Sequence, residues 1–408
     1  MESSTVIDDL VELVRIPTVS GEEDAAERFF ENWFAERGWQ LDRQALAATA
    51  AAQTPRGRAE PRPSQRHNLF GWLGTPTGRP IVTLNAHYDV VPVIDPDDWT
   101  TAPFGADRRD GAIYGRGAVD NKAGVIAALY ALQLVHERGV ELPFDLMVEL
   151  IVAEETTGLG TVAALERFPS RRAAVVLEPT GCDVVAANSG ALFFTIRIEG
   201  RASHTSVPWR GEDALRRLIT VYGALRQLGE RRDLECRHPL MEHLPSAVPT
   251  VIGTLSGGGW RAAVPAHAAM SGRIGVLPGE SLEKVRAELE AVLGAVSASD
   301  PWLTDHPPQL TWDNDGLPGW ELDSRAPLVR AMVAGQEAAG LPERVVGLSA
   351  GCDAGTLRRA GIPTVVFGPG DMAVAHSADE HVSEAEVLRA IEILASGMIA
   401  LGADGNLA

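Results

Sequence analysis

The stretch RPIVTLNAHYD, residues 79–89, is the first pattern in the chain that indicates the fold class. A proline precedes the apolar run Ile81–His87 and polar residues follow it, which is typical of a short buried strand. Two more apolar runs, residues 145–153 and 173–177, alternate along the chain with an Ala- and Leu-rich helical pattern at 124–135. Alternating strands and helices indicate an α/β fold. We therefore predict a mixed, largely parallel sheet flanked by helices.

A different pattern begins near residue 187. The segment LFFTIRIEG (192–200) alternates apolar and polar residues, as a half-exposed antiparallel strand does. Further segments complete a β-α-β-β-α-β order, namely a helix at 212–228, strands in 248–258 and 267–277, a helix at 281–296 and a strand at 309–313. The α/β pattern resumes at Pro327. We expect one domain in two parts, residues 1–186 and 316–408, interrupted by an α+β domain of residues 187–315.

The bulk composition excludes several classes of protein. The 408 residues carry a net charge of -19, which disfavours binding to the phosphate backbone of nucleic acids. The three cysteines are scattered and fit a reducing compartment. The N-terminal segment does not resemble a signal peptide, and no run approaches the ~18 apolar residues that span a bilayer. We expect a cytoplasmic protein without nucleic-acid or membrane partners.

Polar residues that can bind metals stand where the predicted strands end. His87, the pair Glu154-Glu155, and Glu178 each follow an apolar run. Ligands collect at the carboxyl ends of the strands in such sheets. Asp89 lies on the same side of an extended segment as His87, so its carboxylate could accept the second ring proton of a metal-bound imidazole. The alternative is that these residues are solvated strand ends.

Two further candidates lie in loops. Asp120, in GRGAVDNKAG, stands just ahead of a helix, where it could instead cap that helix. His376 lies in PGDMAVAHSADE, after the predicted strand TVVFG. Carboxylates and imidazoles without a thiolate suit zinc, and cobalt or manganese would also fit. The candidates exceed one tetrahedral zinc shell, so we predict two divalent ions that share a bridging carboxylate and activate a water molecule.

The order of the motifs HYD, GRGAVDNK, EE, EPT and AHSADE resembles the M20 family of metallopeptidases. That family includes acetylornithine deacetylase, succinyl-diaminopimelate desuccinylase, aminoacylase and glutamate carboxypeptidase. The resemblance implies a zinc-exopeptidase-like catalytic domain with a di-zinc site. It implies a role for each candidate: His87 and Glu178 would hold one ion, Glu155 and His376 the other, Asp120 would bridge them, and Glu154 would be the general base and acid.

The resemblance extends to the α+β domain, which in the family is a lid that commonly forms a homodimer interface. His204, in GRASHTSVPWRGEDAL, matches the family's histidine motif, which implies that it reaches a neighbouring subunit's site and donates to the developing oxyanion. Arg273 stands where relatives place an arginine that grips a substrate carboxylate. The alternatives are a histidine that caps a strand end and a solvent-facing arginine.

The chain departs from the family pattern at three places. Ala262 stands where relatives carry an asparagine, and Asn121 replaces a commoner methionine. The segment 45–66 is longer than expected, and its Ala-, Pro- and Arg-rich composition predicts an exposed, mobile loop. These departures leave the metal ligands untouched but affect which substrate fits.

The predicted function is hydrolysis of the linear amide bond of a small N-acyl amino acid. Glu178 favours this reading, because glutamate at that ligand position accompanies deacylases and carboxypeptidases in the family, whereas aspartate accompanies aminopeptidases. A dipeptidase or carboxypeptidase is the alternative enzyme. A non-catalytic binder of small molecules is the alternative outside enzymes.

Overall fold

The computed structural model describes residues 2–313 and 315–404, so the outermost ends of the expected domains lie outside it. The chain divides into two compact units. Unit 1 contains Met1–Ala186, Leu322–Val346 and Cys352–Ala408, and unit 2 contains Ala187–Glu321 and Gly347–Gly351. Unit 2 continues past residue 315, where the sequence pattern placed its end, because Leu317 pairs with Ala191 and Trp320 with Asn188.

Both units contain strands and helices, which alternate along the chain in unit 1. The strands in chain order are β1 (Leu41–Ala45), β2 (His67–Trp72), β3 (Ile81–His87), β4 (Asp107–Arg109), β5 (Ala112–Tyr114), β6 (Asp145–Ile151), β7 (Arg171–Leu177), β8 (Val184–Asn188), β9 (Gly190–Glu199), β10 (Thr250–Gly257), β11 (His267–Val276), β12 (Gln309–Trp312), β13 (Trp320–Glu321), β14 (Val345–Leu348), β15 (Thr364–Phe367) and β16 (His381–Ser383). The helices are α1 (Ser3–Arg15), α2 (Asp24–Glu36), α3 (Pro55–Arg58), α4 (Ala123–Glu137), α5 (Leu159–Arg167), α6 (Ala214–Glu235), α7 (Leu282–Ser299), α8 (Pro301–Asp305), α9 (Pro327–Ala338), α10 (Ala354–Arg359) and α11 (Glu384–Ala403).

The sheet that contains the central strands of unit 1 has the order β1-β2-β6-β3-β7-β15-β8-β13, and β14 also pairs with β8. Its middle strands β6, β3, β7 and β15 are parallel, whereas β1 and β2 on one side and β8 and β13 on the other are antiparallel to their neighbours. Helices α1, α4 and α9 pack with α11 or with one another, and α4 also contacts β3, β6 and β7. The predicted mixed, largely parallel sheet flanked by helices is confirmed.

Four parallel strands end next to the residues that the sequence singled out. β3 ends at His87, β6 ends three residues before Glu154, and β7 ends directly before Glu178. The loop that contains His376 follows β15. Since the carboxyl ends of parallel strands meet at one edge of a sheet, this topology brings distant parts of the chain together there.

The segment between β1 and β2 packs within unit 1. The expectation of an exposed, mobile loop is therefore wrong for the buried residues of this segment. Short helical turns, α3 among them, occupy much of this segment. Glu60 and Arg66 are buried, and the Glu166 carboxylate accepts hydrogen bonds from the backbone N–H groups of Ala50 and Ala51. Ion pairs and backbone contacts of this kind leave no periodic signal, which is why composition alone suggested a loop.

Unit 2 contains a four-stranded antiparallel sheet in the order β10-β11-β9-β12. Along the chain its elements follow the expected order β9-α6-β10-β11-α7-β12, with the short α8 before β12. Alternating residues of β9, including Phe194 and Ile196, pack with Leu218 of α6 and Leu289 of α7 in an apolar core. Strand β10 lies at an edge of this sheet. Within the described residues, no helix combines the length and apolar character needed to cross a bilayer.

Candidate metal centre

Five side chains that the sequence predicts as metal ligands converge at the carboxyl edge of the unit 1 sheet. The two carboxylate oxygens of Asp120 lie 2.9 Å from His87 Nε2 and 3.3 Å from His376 Nε2. His376 Nε2 is also 3.1 Å from a Glu155 oxygen, and His87 Nε2 is 3.9 Å from a Glu178 oxygen. Asp120 therefore lies between two imidazole–carboxylate pairs.

The donor atoms form two sets with the spacing of metal sites. One set is His87, Glu154 and Glu178, and the other is His87, Asp120 and Glu155, with the ligand atoms of each set within 4.8 Å of one another. Imidazole and carboxylate donors without a thiolate match the preferences of zinc, cobalt and manganese. The residues present therefore fit divalent cations.

Burial makes the carboxylates of this cluster hard to ionise without cations. Desolvation raises the pKa of Glu154 and of Glu178 well above the ordinary glutamate value, and neighbouring carboxylates such as Asp353 raise both further. Burial also raises the pKa of Glu155. A bound divalent cation would stabilise the ionised forms, so binding must displace protons.

The two imidazoles are held by the aspartate between them. Burial alone would lower the pKa of His87, but its hydrogen bond to Asp120 and the charge of Glu178 raise that pKa above the ordinary value. Hydrogen bonds to Asp120 and Glu155 raise the pKa of His376, which is half-exposed, to about 10. Conversely, the pKa of Asp120 is lowered, because these hydrogen bonds outweigh the effect of its burial. Without cations, the hydrogen bonds to Asp120 therefore favour the protonated form of both imidazoles.

The ring of His87 is oriented by the residue two positions along the chain. Its Nδ1 lies 2.9 Å from the backbone oxygen of Asp89, whereas the Asp89 carboxylate is 3.8 Å away. The contact thus comes through the main chain instead of the carboxylate that the sequence suggested. An Nδ1–H that donates to this oxygen leaves Nε2 available for a cation.

The Asp89 carboxylate hydrogen-bonds to the turn that follows β6. One of its oxygens accepts a hydrogen bond from the backbone N–H of Glu154 at 3.2 Å, and the other accepts one from Ser20 Oγ at 2.9 Å. Ala153, directly before Glu154, has a φ of 65°, and His376 has a φ of 60°. Non-glycine residues with positive φ are strained, and such strain is concentrated at functional sites.

Glu380 is a functional candidate that the sequence reasoning did not select. It is fully buried, accepts hydrogen bonds from the backbone N–H groups of Val119 and Asp120, and pairs with Arg116. Burial raises the pKa of Glu380 to about 7. Its position four residues after His376, inside AHSADE, is the signal that could have identified it. The carboxylate fixes the backbone that carries Asp120.

Asn121, one of the departures from the family pattern, also supports the site. Its side-chain N–H donates to the backbone oxygen of Leu177, directly before Glu178. The Asp120–Asn121 peptide bond is cis. Asn121 therefore ties the loop that carries one candidate ligand to the end of the strand that carries another.

His204 lies in unit 2, on an exposed segment. Its Nδ1 lies 2.7 Å from Ser206 Oγ and 3.1 Å from the backbone nitrogen of Ser206, so the local contacts of the ring are made through Nδ1. His204 pairs with Ala263 in a short β-bridge, and the backbone N–H of Thr205 donates to Ala262. The alanine that replaces the family's asparagine is therefore adjacent to the histidine segment.

Arg273, also in unit 2, is partly buried on β11. Its guanidinium donates to the backbone oxygen of Ser349 at 3.0 Å. Burial lowers its pKa, and among the described residues its Nε has no hydrogen-bond partner. Donor capacity therefore remains on this guanidinium.

Known proteins are similar to this chain in sequence and in fold. The model of peptidase family M20/M25/M40 matches residues 83–399. The chain is 27% identical over 335 residues to N-formyl-4-amino-5-aminomethyl-2-methylpyrimidine deformylase of Halalkalibacterium halodurans. The aligned region covers 75% of each chain. Its fold is similar to a tripeptidase from Staphylococcus aureus, with a TM-score of 0.77, 17% identity and 99% of each chain covered. It is also similar to an M20 family metallo-carboxypeptidase from Sulfolobus solfataricus, with a TM-score of 0.75, 17% identity, and 99% of this chain and 100% of that chain covered.

The matched span contains every candidate ligand from His87 to His376, and the ligand atoms converge as a metal site requires. The chain therefore belongs to peptidase family M20/M25/M40 and is a metal-dependent hydrolase that acts on amide bonds.

Proposed function

We propose that this hydrolase is a deacylase that cleaves the linear amide bond of a small N-acyl amino acid. The observation that carries the proposal is the convergence of five candidate ligands, with the Glu154 carboxylate close to two of them, His87 and Glu178. The similarity to a deformylase, which removes an acyl group from an amine, supports deacylation over peptide hydrolysis.

We propose two divalent ions as cofactors, with zinc as the first expectation and cobalt or manganese also fitting. His87 and Glu178 would hold one ion and Glu155 and His376 the other, with Asp120 between them. The placement of one Asp120 oxygen near each imidazole supports this division. When bound, the ions would polarise the scissile carbonyl and lower the pKa of a water molecule.

Glu154 is the proposed general base and acid. Its carboxylate would accept a proton from the attacking water and return it to the leaving nitrogen. Burial raises the pKa of Glu154 above the ordinary glutamate value, and a raised pKa suits a group that must both take and return a proton near neutral pH. Proton transfer of this kind contributes roughly 10²–10⁴-fold to the rate.

We also propose roles in the reaction for two residues of unit 2. His204 would donate from Nε2 to the developing oxyanion of a neighbouring subunit, and the contacts with Ser206 support this role because they involve Nδ1 and not Nε2. Arg273 would bind the substrate carboxylate through guanidinium donors other than the one that contacts Ser349, a role that would suit an amino acid as the leaving group.

The role of His204 requires a homodimer through unit 2, which we propose to be a lid. Strand β10 is a sheet edge on which Val251 and Leu255 are half-exposed, and Ile219 and Tyr222 of α6 are also exposed. An uncovered edge next to exposed apolar side chains supports an interface there. The three cysteines form no disulfide, which is consistent with the cytoplasmic location we propose.

A substrate screen tests the proposal. The zinc- or cobalt-loaded protein is incubated with N-formyl, N-acetyl and N-succinyl amino acids, an N-formylated aminomethylpyrimidine, dipeptides and tripeptides, and the products are measured by mass spectrometry. We expect release of free amino acids from one group of N-acyl amino acids. Turnover of dipeptides alone would replace the deacylase with a dipeptidase or carboxypeptidase, and inertness towards every compound with metals bound would favour a binding protein.

A further inference from the structure

A cluster of buried charged side chains lies directly behind the candidate metal centre. Arg66 is paired with Glu23 and Glu60, and its Nη2 is 3.6 Å from a carboxylate oxygen of Asp89. None of these four side chains is more than 1% exposed. Arg66 and Glu60 come from the segment between β1 and β2 whose composition suggests a loop.

One side of this cluster reaches the end of β3. Arg66 faces the Asp89 carboxylate, which in turn accepts the backbone N–H of Glu154. The backbone oxygen of the same Asp89 contacts His87 Nδ1. The orientation of Asp89 therefore affects both a candidate ligand and the proposed general base.

The other side of the cluster reaches the turn after β6. One oxygen of Glu60 pairs with Arg66, and the other accepts hydrogen bonds from Thr156 Oγ1 at 2.6 Å and Thr157 Oγ1 at 2.5 Å. These threonines directly follow Glu154 and Glu155 in the chain. Arg66 is thus connected through carboxylates to both segments that carry candidate site residues.

We propose that Arg66 and Glu60 are positioning residues of the metal centre, which hold the Asp89 side chain and the 154–157 turn in the geometry that ligand binding requires. A planar guanidinium with donors on both terminal nitrogens can pair with several carboxylates in fixed directions, whereas the single ammonium of lysine cannot reproduce that arrangement. The proposal rests on the metal centre of the proposed function but not on the acyl substrate.

The first experiment measures zinc affinity, which requires no substrate. Metal-free wild type, Arg66→Met and Arg66→Lys are titrated with Zn²⁺ against a chromophoric chelator. Loss of partners behind metal ligands typically weakens metal affinity or activity about 10–100-fold, so we expect a loss of that size for Arg66→Met and a smaller loss for Arg66→Lys. The absorption spectrum of the Co²⁺-loaded variant should also change, because ligand geometry changes.

Arg232→Met provides the matched control. Arg232 of unit 2 is likewise buried and pairs with two glutamates, Glu280 and Glu288. We expect this variant to lower the unfolding temperature while zinc affinity and the Co²⁺ spectrum stay unchanged. Equal losses of affinity in both arginine variants would overturn the proposal, because Arg66 would then contribute only to folding. An Arg66→Met variant with wild-type affinity and spectrum would overturn it too.

A second variant keeps the proposal testable if Arg66→Met does not fold. Replacing Thr156 and Thr157 with valine preserves side-chain shape and leaves the buried Arg66–Glu60 pair in place, but removes the hydrogen bonds to the turn. We expect zinc affinity to fall about tenfold, the lower end of the same range. Unchanged affinity in this double variant would contradict the proposed role of Glu60. Because the readout is metal binding, failure of the substrate screen cannot be mistaken for either result.

Discussion

In unit 2 two cationic side chains, Arg232 and Lys284, pair with two glutamates, Glu280 and Glu288. In unit 1, by contrast, the carboxylates around His87 outnumber the cationic side chains that contact them. A buried charge with its partners in place is part of the scaffold, and removing one partner is costly. Buried carboxylates that lack enough counter-charge require protons or metal cations instead. The imbalance of buried charge, more than burial itself, distinguishes the candidate site from the scaffold.

The largest expected effect is that of Glu154→Gln, which removes the proposed base while keeping the size of the side chain. We expect kcat to fall roughly 10²–10⁴-fold because proton transfer is lost. Metal content, measured by elemental analysis, should stay at the wild-type level. If the metal were lost as well, Glu154 would be a ligand, in agreement with its closeness to His87 and Glu178.

The next largest expected effect is that of His204→Ala, which tests whether unit 2 takes part in the reaction. We expect His204→Ala to lower kcat about 10²–10³-fold, as loss of an oxyanion donor does. Zinc affinity and the unfolding temperature should not change, because His204 is exposed and lies outside the ligand cluster. Unchanged turnover would remove His204 from the mechanism and leave substrate binding by Arg273 as the proposed role of unit 2.

The charge imbalance of unit 1 also predicts a pH dependence of metal binding. The pKa of His376 is about 10 without cations, so this side chain is protonated at pH 7 and must lose its proton when zinc binds. Zinc affinity should therefore fall about tenfold per pH unit of acidification for each proton displaced. Calorimetry in buffers of different ionisation enthalpy measures the protons released. A binding heat that is the same in every buffer would contradict the displacement of protons.

The smallest expected effect is that of breaking an exposed ion pair of unit 2. Arg226 and Glu230 form an ion pair at the surface of α6, with side chains 54% and 66% exposed. We expect Arg226→Ala to change the free energy of unfolding by no more than about 0.5 kcal/mol, because solvent screens such pairs. Breaking the buried pairs of Arg232 should cost about 3–5 kcal/mol. Chemical denaturation of the two variants compares these values, and similar losses would show that burial does not decide the contribution.

Much of the fold could be predicted from local pattern. The β3 strand, the Ala- and Leu-rich α4 and the element order of unit 2 follow from periodicity and turn residues, which act over a few positions along the chain. The candidate ligands could be selected because His87 and Glu178 lie at strand ends, and parallel strands bring those ends together.

Other features depended on which distant side chains meet. Glu23 and Arg66 are separated by 43 positions, and Arg116 and Glu380 by 264. The carboxylate of Glu23 stands among other acidic residues and has no distinguishing sequence pattern, whereas that of Glu380 is marked only by its position inside AHSADE. Periodicity reports how apolar side chains are buried within one element, whereas ion pairing depends on the approach of separate elements. The position of Arg66 and Glu60 behind the metal centre results from contacts between distant elements, which the local sequence pattern does not indicate.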